Sequence, residues 1–512
     1  MPRIETLMGL ARSAGHMPLP PRTRSSVSYN GASMSRRASH WSPGADGLTS
    51  LLFSNGDILR RRSRDIVRQN PWAANGVEKW VANAIGAGIK PQSKHADAAT
   101  KKQIQAAWLR WTDESDADGL TDFYGQQALI YREMIEAGEV FIRLRPRRPV
   151  DGLSVPLQLQ ILEAEHVPYY AQWKDVPEGH KVHGGIEVNR IGKRVAYHMF
   201  RHHPGDSTVH GGDSSKMIRV PAEQVIHVFR PMRTQMRGEP WLAKVLMRLY
   251  NLDRYEDAEL EKQKIAAMFA FFIEQNTDGE VVLPRDSSET GDVDGSERGI
   301  SGLEPGTGQV LLPGQKVTFS DPPQNGNHES VMRSGLRGAA AGLGNTYEHV
   351  SGDASQLNFS SIRAMLVEFR LVCEQIQHSV IVFQLCRPIW KAWMDQAVLS
   401  GALKLPGYER DPYPHQNVEW RPPRRPWVDP YKDILAVKEE IRAGLKPRSM
   451  ALNELGYDEE EIDEMYRRDN ERADAAGLVF DTDTRQSAAS AAPPEEDDEE
   501  TRERKQQEGK AA

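Results

Sequence analysis

The longest regular pattern in the chain is an apolar stripe that begins beyond Asn358. Its members recur at spacings of three and four residues: Ile362, Met365, Leu366, Phe369, Val372, Cys373, Ile376, Val380 and Phe383. This spacing predicts one continuous amphipathic helix. Asn358 is the predicted N-cap, because an Asn side chain accepts from the free amides of a first helical turn. At about 1.5 Å per residue such a helix is a strut tens of Å long, and a short polar loop precedes it.

A mixed α+β body is predicted ahead of this strut. Helical patterns lie near residues 60–85 and 98–111, and a third helix runs from an N-cap at Asp122 to Gly138, a residue that favours helix ends. The pattern then changes to period two, which predicts the strands of an antiparallel sheet. These strands are at 140–144, 157–161, 185–190, 194–200 and 225–229.

Two further helices are predicted in the middle of the chain. Pro240 suits a first helical turn, and a leucine-rich stripe follows it to about Phe269, a helix of about 43 Å. Its other face carries charges of both signs, so it is either solvated or meets the same helix of a neighbouring subunit. Short strands and a Gly/Ser/Asp-rich loop fill 270–328. The small-residue stretch 335–344 then predicts a close contact between two helices.

The C-terminal part begins with a Pro-rich extended connection at 420–427. Three short helices are predicted beyond it. The first begins at Asp429 and Pro430 and ends at Gly444, the second ends at Gly456, and the third begins at Asp458. The third helix starts with acids and ends with arginines, which suits the helix dipole, so this part is predicted to be a helical cap.

Composition favours a large intracellular assembly component. The 512 residues allow two to four domains, and a hydrophobic content of 39% can fill their cores. Both cysteines, Cys373 and Cys386, lie in the predicted strut too far apart to bridge, which suits a reducing compartment. No apolar run has the length of a signal peptide core or of a membrane span, so the chain is predicted to be soluble and unexported.

Charge is distributed unevenly along the chain. The formal net charge is -7, yet residues 1–70 carry eleven Lys or Arg against four acids, whereas residues 452–512 carry eight against twenty. The arginines Arg60, Arg61, Arg62 and Arg64 are either a contact for nucleic acid or another acidic partner, or the solvated face of a helix. The acidic run at 495–500 offers too little apolar surface to offset chain entropy and is predicted to be disordered.

Enzyme motifs are absent from the sequence. The glycines of 335–344 lack a following Gly-Lys-Ser/Thr and a preceding strand, so they form neither type of nucleotide loop. Asp292 and Asp294 lack the further ligands of a calcium loop. His202, His203 and His210 lack partners with metal-ligand spacing and are predicted to lie in a solvent-exposed loop. The sequence therefore predicts no catalytic residue, no cofactor and no metal ion.

Several motifs in order along the chain resemble the lambda-type portal proteins of tailed bacteriophages. The resemblance covers roughly residues 50–475. Its motifs are Asn70-Pro-Trp-Ala73 with Asn75-Gly76, Trp108 with Trp111, Glu136-Ala-Gly-Glu139, Arg237-Gly-Glu-Pro-Trp241, Ser351-Gly-Asp353 with Ser355, Asn358-Phe-Ser-Ser361 with Arg363-Ala364, and Val428-Asp-Pro430 with Ala443-Gly-Leu445. Together they are far more specific than any one of them.

The resemblance implies an α+β portal fold that assembles as a ring. Its parts are a disordered basic arm (1–49), a mixed α/β wing (50–239), two stem helices (240–269 and 329–350) with a small α/β clip between them (270–328), a tunnel loop (351–357), a long kinked helix (358–400), a helical crown (401–475) and a disordered acidic tail (476–512). Pro388 supplies a reason for the kink, because proline removes an amide donor and crowds the preceding turn.

The implied function is that of the ring at one capsid vertex through which double-stranded DNA is packaged and ejected. The implied partners are eleven further copies of the chain, DNA, the terminase, the major capsid protein and the head–tail connector, without a membrane. The implied location is the portal vertex of the virion and, during assembly, the host cytoplasm. Two alternatives stay open: a non-catalytic head–tail connector or scaffold that never encloses DNA, and a nucleic-acid-processing enzyme.

The resemblance places the DNA-facing residues in the tunnel loop and at the N-cap that follows it. They are Ser351, Asp353, Ser355, Gln356 and Asn358. Acidic and small polar side chains suit a conduit, because each phosphate that a cation neutralises adds affinity and twelve copies of a basic patch would stall the DNA. An ordinary capped loop between two helices would carry the same residue types.

Overall fold

The computed structural model describes residues 44–173, 175–206, 208, 216–268, 272–275, 315–318, 327–355, 359–423, 430–457 and 459–480. The helices are α1 (Leu48–Gln69), α2 (Pro71–Ala84), α3 (Ala98–Thr112), α4 (Phe123–Ala137), α5 (Leu246–Met268), α6 (His328–Leu343), α7 (Tyr347–Ser351), α8 (Phe359–Ile376), α9 (Arg387–Leu399), α10 (Tyr413–Gln416), α11 (Pro430–Arg442), α12 (Arg448–Glu454) and α13 (Glu459–Ala476). The strands are β1 (Lys90–Ser93), β2 (Glu139–Pro146), β3 (Leu157–Leu162), β4 (Lys181–His183), β5 (Ile186–Val188), β6 (Arg194–Phe200), β7 (Met217–Pro221), β8 (Val225–Phe229), β9 (Phe272–Gln275), β10 (Gln315–Thr318) and β11 (Val418–Arg421).

Local capping explains where the first helices begin and end. The Asn70 side chain accepts from the amide of Ala73 at the start of α2. The Asp122 side chain accepts from the amide of Gly125 at the start of α4, and Gly138 ends that helix in the left-handed region with φ 90°. The predicted boundaries at Asp122 and Gly138 are therefore confirmed.

The alternating strands form two antiparallel sheets instead of one. One sheet has the order β3-β2-β8 and the other the order β4-β5-β6-β7. Phe141 and Leu162 of the first sheet and Tyr197 and Met199 of the second share one buried apolar cluster. Alternation indicates which side chains lie on a buried face, but both sheets supply such faces and the pattern does not separate them. The body formed by residues 48–229 is called the N-terminal body below.

The main core joins the N-terminal body to the long helical segment 359–399. Four tryptophans, Trp108 and Trp111 of α3 with Trp390 and Trp393 of α9, are each at most 1% exposed. The ring of Trp108 lies 4.9 Å from that of Trp390 and 5.0 Å from that of Trp393. Tilted and edge-on aromatic pairs of this kind add to the energy of area burial, so this cluster attaches the C-terminal end of the strut to the body.

A π-helical segment interrupts the strut and changes its exposed face. Residues Gln377–Cys386 lie between α8 and α9 and form the wider i→i+5 hydrogen bonds. The wider turn rotates later residues away from a 3.6-residue stripe, and Phe383 is 61% exposed. The prediction that Phe383 belongs to the buried stripe is therefore wrong. Its ring instead lies 5.9 Å below the guanidinium of Arg387.

Helices α5 and α6 approach each other closely along a glycine face. An added Cβ at Gly335 would lie 2.3 Å from Leu252 Cδ2, one at Gly338 would lie 2.5 Å from Arg248, and one at Gly342 would lie 2.3 Å from Val245. The three glycines meet side chains that are themselves three and four residues apart. The predicted close contact of the small-residue helix is confirmed.

The C-terminal part returns to the N-terminal body through a pair of strands. Strand β11 pairs antiparallel with β1, with Lys90 opposite Arg421 and Ser93 opposite Val418. Helices α11, α12 and α13 follow, and Gly444 and Gly456 adopt positive φ after the first two. Among the described residues, no helix has both the length and the apolar character needed to cross a membrane.

We expect Gly335→Leu to destabilise the protein by about 1–3 kcal/mol, because the new side chain must displace Leu252 in a packed contact. The matched control is Ala341→Leu on the exposed face of the same helix. Urea unfolding, monitored by tryptophan fluorescence, gives the unfolding midpoint of each variant. Equal unfolding midpoints for the two variants would contradict the close contact.

Candidate functional site

The start of the expected tunnel loop is held by residues of α2 and its neighbours. The Asn75 side chain donates to the carbonyls of His349 and Val350, at 2.9 and 3.1 Å. The Asn345 side chain donates to the Gly76 carbonyl at 2.9 Å. These contacts join two sequence motifs more than 260 positions apart, and they fix the backbone from which the loop leaves the body.

Helix α7 is a single capped turn that presents the loop. The Thr346 side chain accepts from the His349 amide at its start, and Gly352 ends it with φ 70°. Val350 is fully buried, and the ring of His349 packs edge-on against Phe369 of the strut at 4.6 Å. The turn is therefore clamped between α2 and the strut, while the residues beyond Gly352 leave it.

Asp353 carries the negative charge of the described part of this loop. Its carboxylate accepts from the Ser355 amide at 2.9 Å and from the Tyr347 hydroxyl at 3.4 Å. Hydrogen bonds from Ser355, first from its side chain and then from its backbone, lower the pKa of Asp353 below the usual carboxyl value. Asp353 is therefore ionised at neutral pH, and Ser355 beside it is exposed.

Part of the expected site lies beyond what the structure describes. Gln356, Leu357 and Asn358 lie outside the described residues, so the roles of Gln356 and Asn358 stay predictions. Pro388 occupies the first turn of α9, directly after the π-helical segment. The kink at Pro388 likewise stays a prediction.

Two glycine motifs of the N-terminal body touch each other through their backbones. An added Cβ at Gly238 would lie 2.0 Å from the Gly138 carbonyl oxygen, and one at Gly138 would lie 2.4 Å from the backbone carbon of Glu239. Gly138 also has positive φ. No larger residue fits at either position without moving the backbone, so the glycines set the distance between β2 and the segment that leads into α5.

A buried ion-pair network surrounds this backbone contact. Glu139 is fully buried, and its carboxylate accepts from Arg237, Arg60 and the amide of Gly238. The guanidinium of Arg237 is also fully buried and donates to the carbonyls of Val167 and Gly184. Burial is the largest single effect on Glu139 and opposes its charge, but the charges and hydrogen bonds of Arg237 and His227 together outweigh it and keep the pKa of this carboxyl well below its usual value.

His227 completes the network in its neutral form. Burial is the main cause that lowers the pKa of His227 to about 4. Its Nε2 lies 2.9 Å from Glu139 and its Nδ1 lies 3.1 Å from Arg194. A neutral ring can donate from Nε2 to the carboxylate and accept at Nδ1 from the guanidinium, so the acceptors and donors match.

The basic run of α1 is in part structural. Arg60 is 2% exposed and pairs with Glu139, so it cannot contact a partner at the surface, and the prediction of a basic contact is wrong for this residue. Arg64 is partly buried and pairs with Glu133, Glu163 and Glu165. Only Arg61 and Arg62 of this run are exposed.

One group of side chains has metal-ligand spacing among the described residues. Glu163, Glu165 and His203 bring their ligand atoms together, but the Arg64 guanidinium already bridges both carboxylates. His203 is half-buried and its ring packs on His166 at 5.5 Å. The expectation of a solvent-exposed loop is therefore wrong for His203, and His210 lies outside the described residues.

The sequence indicates that Glu139 and Arg237 are buried charges, but it does not identify their partners. Glu139 opens an apolar strand, and Arg237 stands in a turn beside a glycine. A charge bordered by apolar residues and glycine suggests burial with a partner. The partner cannot be identified from one sequence, because the two residues are 98 positions apart.

Comparison with known proteins places this chain among viral assembly proteins. A family described as phage portal protein, lambda family, matches residues 34–377, more than half of the chain. The "Probable portal protein" of Halomonas phage phiHAP-1 is 27% identical over 474 residues, which cover 89% of this chain and 86% of that protein. The portal protein of Escherichia phage N15 is 24% identical, with 86% and 88% covered, and portal protein B of Escherichia phage lambda is 22% identical, with 87% and 91% covered.

Among solved structures, the neck of a native gene transfer agent particle, computed with C12 symmetry, contains a similar chain. The TM-score is 0.45 at 14% identity, and the match covers 79% of this chain and 93% of that chain. The neck of the empty particle gives a TM-score of 0.44 at 16% identity, with the same coverage.

We expect Arg237→Met to lower the free energy of unfolding by about 3–5 kcal/mol, because it leaves Glu139 buried without its main cation. The matched control is Arg61→Met, which removes an exposed pair with Asp57 and costs at most about 1 kcal/mol. Thermal or urea unfolding measures the difference. If both variants unfold alike, the buried network does not support the fold.

Proposed function

This chain belongs to the lambda family of phage portal proteins, and we propose that it forms the ring at one capsid vertex through which double-stranded DNA is packaged and ejected. The ring of twelve copies would dock the terminase during packaging and the head–tail connector afterwards. The match of the family to residues 34–377 carries this proposal. The protein then acts without catalysis, in the host cytoplasm during assembly and at the portal vertex of the virion.

The division of the fold that we propose follows the family. Residues 50–239 form the wing, α5 and α6 contribute the stem, and 270–328 form the clip. The glycine contact between α5 and α6 supports the stem, because it holds the two helices together as one rigid element. Strand β9 lies near the start of the clip and β10 near its end, and the two pair antiparallel. The wing would contact the major capsid protein.

Exposed apolar side chains support assembly into a ring. On α5, Met247, Tyr250 and Leu260 are 46–60% exposed, beside the charges of the same helix. In the described residues of 430–480 only Ala451 and Ala473 are buried apolar residues, whereas Ile434 and Leu445 are among many exposed ones. Amphipathic helices need a neighbour that covers their apolar faces, and the described residues of this chain do not provide it. Further copies of the chain supply one.

The tunnel loop is where we propose that the DNA passes. Its described residues, Ser351, Asp353 and Ser355, offer one ionised carboxylate and two hydroxyls and no cation. Such groups repel or weakly solvate phosphates and release no counterions, so DNA can slide past twelve copies without being held. The clamp on α7 supports this role, because it keeps the base of the loop in place while the DNA moves.

We expect the isolated protein to form closed rings with a central hole at micromolar concentration, because the described part of one chain leaves the apolar faces of α5 and the C-terminal helices uncovered. Light scattering gives the mass, and negative-stain images give the shape. A folded protein that stays monomeric or dimeric would contradict the proposal. A closed assembly without a hole would favour a connector or scaffold that does not enclose DNA.

We expect Asp353→Lys together with Gln356→Lys to leave ring and particle assembly normal and to impair DNA packaging or retention. The added cations recur in every subunit and create a strong grip on phosphates that weakens with salt. Packaged DNA is measured as nuclease-protected DNA per particle. The matched control is Glu178→Lys, a charge reversal at an exposed position of the wing.

Normal packaging by the tunnel-loop variant at both low and high salt would show that the loop does not touch DNA. The ring images separate this result from a failure of assembly. If Glu178→Lys impairs packaging equally, the effect is one of total charge and not of the loop.

A further inference from the structure

A cavity opens where the two sheets of the N-terminal body separate. Residues of β2 alternate between its faces, so Phe141, Arg143 and Arg145 point to the same side. Phe141 lies in the buried cluster between the sheets. Farther along β2 the same face lines a cavity of about 340 Å³. The interface between the sheets therefore changes along β2 from an apolar contact to an arginine-lined cleft.

The cleft contains cations that no acidic residue faces among the residues that the structure describes. Arg143 and Arg145 of β2 and Arg201 at the end of β6 line it, and none of its lining residues is acidic. Arg145 donates to the Gln160 side chain at 3.2 Å. The Nε of Arg143 is buried and has no hydrogen-bond partner among the described residues. Burial, and then the charge of Arg145, lowers the pKa of Arg143, as expected for a cation without an anion.

The shape of the cleft favours a peptide over a nucleic acid. Its floor is made by Leu162, Met199 and Ile218, side chains that continue the apolar cluster. A carboxylate on a peptide can enter between the sheets while neighbouring aliphatic atoms contact this floor, and its two oxygens match a guanidinium. The phosphates of a DNA duplex lie on a wide convex surface and cannot reach a half-buried guanidinium in a cleft of this size.

The chain itself contains a segment of matching charge. Residues 495–500 are Glu-Glu-Asp-Asp-Glu-Glu. They follow Phe480, the last described residue, by fifteen positions, a span of up to about 50 Å. Nothing else in the sequence has six acids in succession.

We propose that the cleft lined by Arg143, Arg145 and Arg201 binds carboxylates of an acidic peptide, and that the acidic segment 495–500 of this chain is its occupant. The contact would place the C-terminal tail against the two sheets of the N-terminal body. The proposal does not depend on the role of the tunnel loop or on the DNA channel.

The test uses the full-length protein and a fluorescent peptide with the sequence of residues 491–502. In one variant of the protein, the acids of 495–500 are replaced by Gln or Asn. If the proposal holds, the tail of this variant no longer occupies the cleft. Fluorescence anisotropy should show at least tenfold tighter peptide binding to this variant than to the unchanged protein. Adding Arg143→Ala should then weaken binding at least tenfold.

Arg201→Ala serves as a second variant, because Arg201 is exposed and its removal leaves the fold intact. It should also weaken peptide binding several-fold, whereas the matched control Arg61→Ala, an exposed arginine of α1, should leave it unchanged. Equal affinity for the unchanged and neutralised proteins would overturn the assignment of the occupant. Peptide affinity that stays unchanged in both Arg143→Ala and Arg201→Ala would overturn the assignment of the binding site.

Two competitors distinguish other anions. A 20-base-pair DNA duplex that displaces the peptide from the cleft, and does so less well after Arg143→Ala, would overturn the proposal in favour of nucleic acid. Inorganic phosphate that displaces the labelled peptide at the same concentration as unlabelled peptide would also overturn the proposal, because the cleft would then bind small anions in general. Failure of both competitors at concentrations where unlabelled peptide displaces the probe would support the proposal.

Discussion

The buried contact between Glu139 and Arg237 holds together the parts of the N-terminal body. Glu139 opens the central strand β2, Arg60 comes from α1, and Arg237 belongs to the segment that leads into α5. The cation of Arg237 also lies 4.4 Å from the ring of Tyr169. A buried carboxylate needs its cations in place, so this network ties the helix, the strand and the entry to α5 to one another.

The glycines beside this contact are part of the same constraint. Gly138 and Gly238 bring the two backbones into contact, which lets the Gly238 amide donate to Glu139 at 2.8 Å. The start of α5 is thereby fixed relative to the sheets. Because α6 packs on α5 through its own glycines and α7 follows α6, the position of residues 351–355 depends in the end on this buried carboxylate.

Features set by local chemistry could be predicted from the sequence, and features set by distant partners could not. The cap at Asp122, the left-handed Gly138 and the glycine contact of α6 follow from residue type and spacing. Exposure of Phe383 depends on a π-helical segment, which periodicity does not reveal. Likewise, Arg60 looks like any surface arginine until its partner Glu139 is known, and of the candidate site only residues 351–355 are described.

The pairing of β1 with β11 determines when this protein can finish folding on the ribosome. Lys90 pairs with Arg421, so β1 has no partner until some 330 further residues have been synthesised. At about 5–20 residues per second this takes about 16–65 s. During that time β1 is an open strand edge of the kind that pairs with other chains. A nascent portal subunit therefore completes its N-terminal body only near the end of translation, which delays productive contact between neighbouring subunits until each chain is nearly whole.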